Sequence, residues 1–166
     1  MNENEKKMYE IFEELNITDY EVINHVAVKT IDEVDEHGLS MAGLNVKNLL
    51  IRDKKTEKYY MVIIEEHKQV DMKKFKEITG WKKNSFAGEE DLAQLLNLHD
   101  GGVTPLALFN DVDKRITVVL GEDIRKADDT EKIGFHPCRT TGTLLMTVGD
   151  FKCFLEHMGN EVLWEE

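Results

Sequence analysis

The stretch VKNLLIRDKKTEKYYMVIIE, residues 46–65, decides the fold class. Two apolar runs, 46–52 and 58–65, flank the polar segment DKKTE. Apolar and β-branched residues on both sides of a short polar turn are the pattern of a β-hairpin. The second run, KYYMVIIE, is apolar at successive rather than alternate positions. It is therefore expected at the centre of a sheet, with both faces covered.

Reading outward from this hairpin, residues 3–15 place Met8, Ile11, Phe12 and Leu15 at helical spacing. Residues 20–28 alternate and carry β-branched side chains, which predicts a strand. Thr30 and Glu33 fit a capping box for a short helix running to His37 and stopped by Gly38. Asp71 is placed to cap a helix, KKFKEITG, closed by Gly80, and residues 89–96 form another short helix. In GGVTPLALFND, residues 101–111, two glycines, a threonine and a proline lead into an apolar run. That form predicts a tight loop feeding a buried strand at 103–109, paired with 115–120 around NDVDK. Strands are expected at 132–135 and 143–148, with Asp150 capping a final helix, FKCFLEHM. The tail NEVLWEE adds an edge strand or packs Leu163 and Trp164. Strand pairs interspersed with short helices indicate one α+β domain over residues 1–166. Its central sheet is expected to be mixed and mostly antiparallel, with flanking short helices.

At 166 residues, with 41% hydrophobic and 33% charged residues, the chain has the composition of an ordinary soluble domain. No apolar run approaches the roughly 18 residues of a membrane span. The opening MNENEKKMYE has no apolar signal region, so cytoplasm is the expected compartment. Cys138 and Cys153 have no metal spacing and are expected as free thiols. A net charge of −12 argues against a generic nucleic-acid binder. The charge is unevenly spread, however. Residues 47–83 hold eleven basic and six acidic side chains, a balance of +5, while the remainder stands at −17. This basic third is either a phosphate-binding surface or a solvated lysine-rich face.

Three places could carry chemistry. The loop at 101–105 exposes backbone N–H and C=O groups that could grip a small polar ligand, or it simply turns the chain. Lys47 precedes an apolar strand, with the Asn48 amide beside it, and either meets a ligand or snorkels from the strand end. His136 and Pro137 end a strand and are followed by Thr140, Thr141, Gly142 and Thr143. This corner could bind a ribose, an amine or a carbonyl, or hold a satisfied histidine at a sheet end. The histidines show no HxxxH or HxxH spacing, so no metal site is expected. There is no GxSxG elbow, and neither cysteine lies in a nucleophile motif, so hydrolysis would proceed without a covalent intermediate. The Gly-rich patterns of the common nucleotide folds are missing as well.

Five motifs occur in one order: H-x-A-V-x-T at 25–30, KNLLIRD at 47–53, G-x-x-x-P at 101–105, FHP at 135–137, and D-x-x-x-F-L at 150–155. Together they resemble the YbaK/ProX-type aminoacyl-tRNA editing domains, the free-standing relatives of the insertion domain of bacterial prolyl-tRNA synthetases. Within that family the chain looks most like the ProX branch, which implies deacylation of Ala-tRNA(Pro) in trans, and the resemblance spans roughly residues 5–158. It implies catalytic roles for Lys47, Gly101 and His136. It also implies substrate contacts from His25, Thr30, Asn48, Gly102, Val103, Thr104, Pro105, Pro137 and Thr140. No cofactor or metal is implied, and neither DNA nor membrane is an expected partner. The expected partners are aminoacylated tRNA(Pro), held at its acceptor stem by the basic stretch 47–83, and prolyl-tRNA synthetase, transiently. In this family the terminal ribose hydroxyl of the tRNA is thought to assist the attacking water. One departure stands out: Thr140 occupies a position that is often asparagine. It leaves open a deacylase for another small aminoacyl group such as cysteine, or a non-catalytic aminoacyl-tRNA or amino-acid-binding module.

Overall fold

The computed structural model describes residues 1–26, 44–80, 84–99 and 102–164. The hairpin at 46–65 forms as its sequence dictates. Strand β2 (Val46–Asp53) pairs antiparallel with β3 (Lys58–Glu65), Lys47 opposite Ile64 and Asp53 opposite Lys58. The turn is set by Asp53, whose Oδ1 accepts from the N–H groups of Lys55 and Thr56 at 2.9 and 3.4 Å. Positions 59–64 of β3 are all buried, as a central strand requires.

Both faces of this hairpin are covered, by different material. Ile51, Tyr60, Val62 and Ile64 pack with Val119 under helix α2 (Met72–Thr79), which contributes Phe75. Leu50, Tyr59, Met61 and Ile63 point the other way, into the main core. The capping of α2 follows the sequence closely. Asp71 Oδ1 accepts from the N–H groups of Lys73 and Lys74, and Gly80 ends the helix at φ +72°. A φ of that sign suits glycine, and here the open space around Gly80 shows that conformation alone demands it.

The main core gathers the remaining helices. Helix α1 (Glu3–Glu14) buries Met8, Ile11 and Phe12 on one face. Phe12 meets Tyr20 at 5.2 Å and Phe154 edge-on at 5.8 Å. Strand β1 (Tyr20–Asn24) is shorter than the predicted 20–28, and the capping box at Thr30 and Glu33 lies outside the described residues. A short strand β4 (Asn84–Phe86) adds to the β2 edge, followed by helix α3 (Glu89–Leu96).

The segment after the glycines departs from expectation. Residues predicted as a strand at 103–109 form a 3₁₀ helix, Pro105–Asn110. Thr104 caps it, its Oγ1 accepting from Leu106 N–H at 3.3 Å, and Pro105 starts it without an N–H to lose. A short apolar run cannot by itself distinguish strand from buried helix, and here the Thr-Pro start decides. No hairpin is therefore made with 115–120. Strand β5 (Ile116–Leu120) instead lies parallel to β3, Tyr59 opposite Ile116, after a crossover through α2, β4, α3 and the 3₁₀ helix.

Helix α4 (Glu122–Lys126) leads to β6 (Lys132–Phe135) and β7 (Gly142–Thr147), which pair antiparallel. Helix α5 (Val148–Met158) is capped by Thr147, not Asp150: Thr147 Oγ1 accepts from Asp150 N–H at 3.1 Å. Strand β8 (Val162–Trp164) closes the described chain as a parallel edge on β5.

The result is an α+β fold with four antiparallel and two parallel strand pairings, divided between two sheets. One has the order β4-β2-β3-β5-β8 and the other β1-β7-β6. They are stitched by a parallel bridge between Leu44 and Ile133, with Leu44 N–H donating to Lys132 C=O at 2.8 Å. Among the described residues, no helix is long and apolar enough to cross a membrane.

Candidate active site

The region where the two sheets meet holds Lys47, Asn48, His136 and Pro137. The parallel bridge between Leu44 and Ile133 and the contact of β2 with β6 set Lys47 and Asn48, at the start of β2, beside the strand that His136 and Pro137 follow. Strand alternation places Lys47 on the face of Leu49 and Ile51, toward α2, and Asn48 on the face of Leu50, toward the main core. The two side chains therefore act from opposite faces of β2, not as a side-by-side pair. Asn48 Oδ1 is buried and, among the described residues, has no hydrogen-bond partner.

The two histidines converge on the start of β7. His136 Nδ1 lies 3.1 Å from the Gly142 carbonyl oxygen. His25 Nδ1 lies 2.7 Å from the Val26 carbonyl oxygen, and its Nε2 lies 2.7 Å from Thr143 Oγ1. A carbonyl oxygen only accepts, so each neutral ring carries its proton on Nδ1 and presents Nε2 as an acceptor. For His25 that acceptor takes the Thr143 hydroxyl. His25 N–H also donates to Thr141 C=O at 2.9 Å, extending the β1–β7 ladder beyond the strand ends.

A brace that sequence reading missed holds this corner. Arg139 donates from Nε to Glu5 Oε2 at 3.0 Å, from Nη1 to Thr141 C=O at 2.9 Å, and from Nη2 to Asn24 Oδ1 at 2.6 Å. Glu5 is buried, and Asn2, the N-cap of α1, donates to Cys138 C=O at 3.2 Å. The first turn of α1 is thus bonded to the loop between β6 and β7. Gly142 makes room for this: a Cβ there would lie 2.7 Å from Arg139 Nη1. Tyr9 sits against the same brace, its phenol pKa pushed up by burial first and then by the Glu5 carboxylate. No local pattern announces the brace, because Glu5 and Asn24 are far from Arg139 in sequence.

The loop of Gly102, Val103, Thr104 and Pro105 forms a separate wall, entering the 3₁₀ helix that packs on α1, α3 and α5. Thr104 and Pro105 are buried, and Thr104 spends its hydroxyl on the helix cap. Pro137 is buried and Thr140 is half-buried in the β6–β7 loop. Gly101 and Thr30 lie outside the described residues. Both cysteines are free thiols, Cys138 buried and Cys153 exposed.

Two other features lie apart from this seam or account for themselves. A cavity of about 360 Å³ between α5 and β8, lined by Leu120, Leu155, Asn160 and Trp164 among others, contains none of the candidate residues. Glu65, Glu66 and His67 bring their side-chain ligand atoms within 4.8 Å of one another at the end of β3. There His67 Nδ1 bonds Glu65 Oε1 at 2.9 Å, and its backbone N–H donates to Glu65 Oε2 at 3.0 Å, a hydrogen-bonded strand end.

Comparison with known proteins gives this geometry a context. The chain is 29% identical over 148 residues to prolyl-tRNA editing protein ProX of Acetoanaerobium sticklandii, covering 89% of this chain and 88% of that protein. It is 30% identical over 151 residues to prolyl-tRNA synthetase associated domain-containing protein 1 of Danio rerio, covering 91% and 80%. A solved structure described as a candidate trans-editing enzyme for prolyl tRNA synthetase superposes with a TM-score of 0.66 at 18% identity, covering 100% of this chain and 99% of that one. That likeness establishes a shared fold. The family model for the aminoacyl-tRNA editing domain matches residues 25–154, most of the chain, so this protein belongs to the aminoacyl-tRNA editing domain family, a family of aminoacyl-tRNA deacylases.

Proposed function

We propose that this chain is a trans-editing hydrolase that removes alanine from mischarged Ala-tRNA(Pro), by water attack and without a covalent intermediate. The observation that carries this reading within the family is Asn48 Oδ1, a buried acceptor with no partner among the described residues, at the seam of the two sheets. An unsatisfied buried polar atom costs roughly 1–3 kcal/mol. A substrate donor, the α-ammonium of the aminoacyl group or a ribose hydroxyl, removes that cost on binding.

The chemistry needs a positioned water and charge where the ester oxygen becomes anionic. Lys47 supplies the positive charge, and His136, with its proton held at Nδ1 by the Gly142 carbonyl, offers Nε2 as an acceptor toward the water. The terminal ribose hydroxyl of the tRNA assists that water. The backbone of 101–105 positions the terminal adenosine, and His25, Thr30, Pro137 and Thr140 complete the substrate wall. Alanine is smaller than proline, so a proline-activating pocket rejects it weakly. A second site that admits alanine and excludes the proline ring completes a double sieve. Prolyl-tRNA synthetase is the transient partner that releases the mischarged tRNA.

Single-turnover hydrolysis of Ala-tRNA(Pro), with Pro-tRNA(Pro) as control, tests this. Wild type is expected to release alanine and spare proline. Lys47→Ala, with its fold verified by circular dichroism, is expected to be slower by roughly 10²–10³-fold, the scale of losing one charge-stabilising group. Asn48→Ala is expected to weaken substrate binding. No alanine release at micromolar enzyme sinks the proposal. Thr140, at a position often asparagine in the family, makes Cys-tRNA(Pro) the parallel substrate to run. Tight aminoacyl-tRNA binding without turnover of either would mark a non-catalytic binding module.

A further inference from the structure

The basic stretch 47–83 is not one surface. Arg52 is bonded to Glu57 and faces Asp91, and Lys68 is bonded to Asp123 at 2.7 Å. Lys73, Lys74 and Lys76 stand on α2, while Lys82 and Lys83 lie outside the described residues. Lys54, Lys55 and Lys58 sit together at the β2–β3 turn, all exposed, and among the described residues none is in an ion pair.

A fourth cation joins them from elsewhere in the chain. Arg115 directly precedes Ile116, which pairs with Tyr59, the residue after Lys58. It is exposed, and its guanidinium lies 5.1 Å from the centre of the Tyr59 ring. The ring is held in turn by its hydroxyl, which donates to Asp91 Oδ1 at 3.0 Å. An arginine kept in place by an aromatic face, and among the described residues in no ion pair, keeps its N–H fork for a phosphate. Of the acids around the row, Glu57 is taken by Arg52, Asp91 by the Tyr59 hydroxyl and Asp53 Oδ1 by the N–H groups of the turn, while Asp113 stands exposed in the loop before Arg115.

This cationic tip and Lys47 occupy opposite ends of one hairpin. Lys47 and Asp53 are six positions apart on β2, about 20 Å at the usual rise of a strand. We propose that the tip formed by Lys54, Lys55, Lys58 and Arg115 binds the phosphate backbone of the tRNA acceptor arm, about 20 Å from the ester. The identity of the RNA rests on the editing reading above; the phosphate-binding surface does not. On a chain of net charge −12, a cationic tip also orients the polyanion, because the chain as a whole is acidic.

The test uses the full chain and the quadruple variant K54Q/K55Q/K58Q/R115Q, with thermal melts as the fold control. Binding of uncharged tRNA is measured from 50 to 200 mM KCl, and deacylation is measured on full tRNA and on a short aminoacylated 3′ oligonucleotide. The variant is expected to bind tRNA at least ~10-fold more weakly and to lose about three to four from the salt slope, near one per phosphate contact. Its KM for full tRNA rises, while its maximal rate and its activity on the short ester stay at wild-type values. Each single glutamine variant is expected to lower the slope by about one, which keeps the idea testable should the quadruple variant unfold. Unchanged affinity and slope overturn the proposal. So does a loss of binding in K73Q/K74Q/K76Q on α2 with the tip variant unaffected. A wild type that binds tRNA through the tip but cleaves no ester refutes the editing reading alone. One that cleaves with the tip irrelevant refutes this proposal alone.

Discussion

His25 and His136 are set in the same tautomer by the same device, a carbonyl oxygen at Nδ1. His25 Nε2 takes the Thr143 hydroxyl at 2.7 Å, a distance that a nucleophile and its base would also show. The water-attack reading assigns that pair a positioning role, because the ribose hydroxyl of the substrate is the group that helps the water. Thr143→Val is therefore expected to retain single-turnover deacylation within about tenfold, below the range for losing a general base or nucleophile. Mass spectrometry of the quenched reaction is expected to show no acylated protein. An alanyl adduct on Thr143 would replace water attack with covalent catalysis.

At the level of elements, the passage from the 3₁₀ helix into β5 depends on one buried carboxylate. Asp111 Oδ1 accepts from Arg115 N–H at 3.0 Å, and Oδ2 accepts from Ile116 N–H and Asn160 Nδ2 at 2.9 Å each. It ties the start of β5 to Asn160, two residues before β8, and so helps to set Arg115 beside Tyr59. Asp111→Ala leaves two backbone donors and one amide short of an acceptor in a buried place. It is expected to destabilise the protein by about 3 kcal/mol, on the scale of a lost charge-assisted hydrogen bond plus unsatisfied donors. For a domain of this size that lowers Tm by roughly 6–12 °C. A loss under ~1 kcal/mol in a denaturant titration would show that water replaces the carboxylate at little cost.

Over the whole molecule, three tyrosines share one pH response: Tyr9 on α1, and the neighbours Tyr59 and Tyr60 on opposite faces of β3. Burial is the largest cause raising the phenol pKa of Tyr9, Tyr59 and Tyr60 above the ordinary 10.0, with Glu5, Asp91 and Asp53 respectively adding to it. The folded state thus holds these protons more tightly than the unfolded chain. The stability they contribute is fully present below pH 10.0 and is lost as pH rises through the raised folded values. Denaturant midpoints are expected to fall above about pH 10, together with the appearance of tyrosinate absorbance. Midpoints flat to pH 11 would contradict this. Tyr59 joins this response to the proposed phosphate-binding tip, since its ring lies against Arg115.

What the chain determined by itself is what local chemistry can write. The β2–β3 hairpin, the ends of α2 at Asp71 and Gly80, and the bounds of α3 and β6 all follow from neighbours within a few residues. The order of five motifs also sufficed for the family, which the comparisons bear out. Other features were decided only by packing. An apolar run as short as LALF suits a buried 3₁₀ turn as well as a strand, so its conformation was settled by Thr104, Pro105 and the helices around it. The parallel course of β5, the division into two sheets, and the separation of Lys47 from Asn48 across β2 depend on which strands meet. The bonds from Arg139 to Glu5 and Asn24 span more than a hundred residues, and the basic stretch divides only once Arg115 reaches Tyr59. Such contacts have no local signature, because tertiary packing brings their partners together after the local elements have formed.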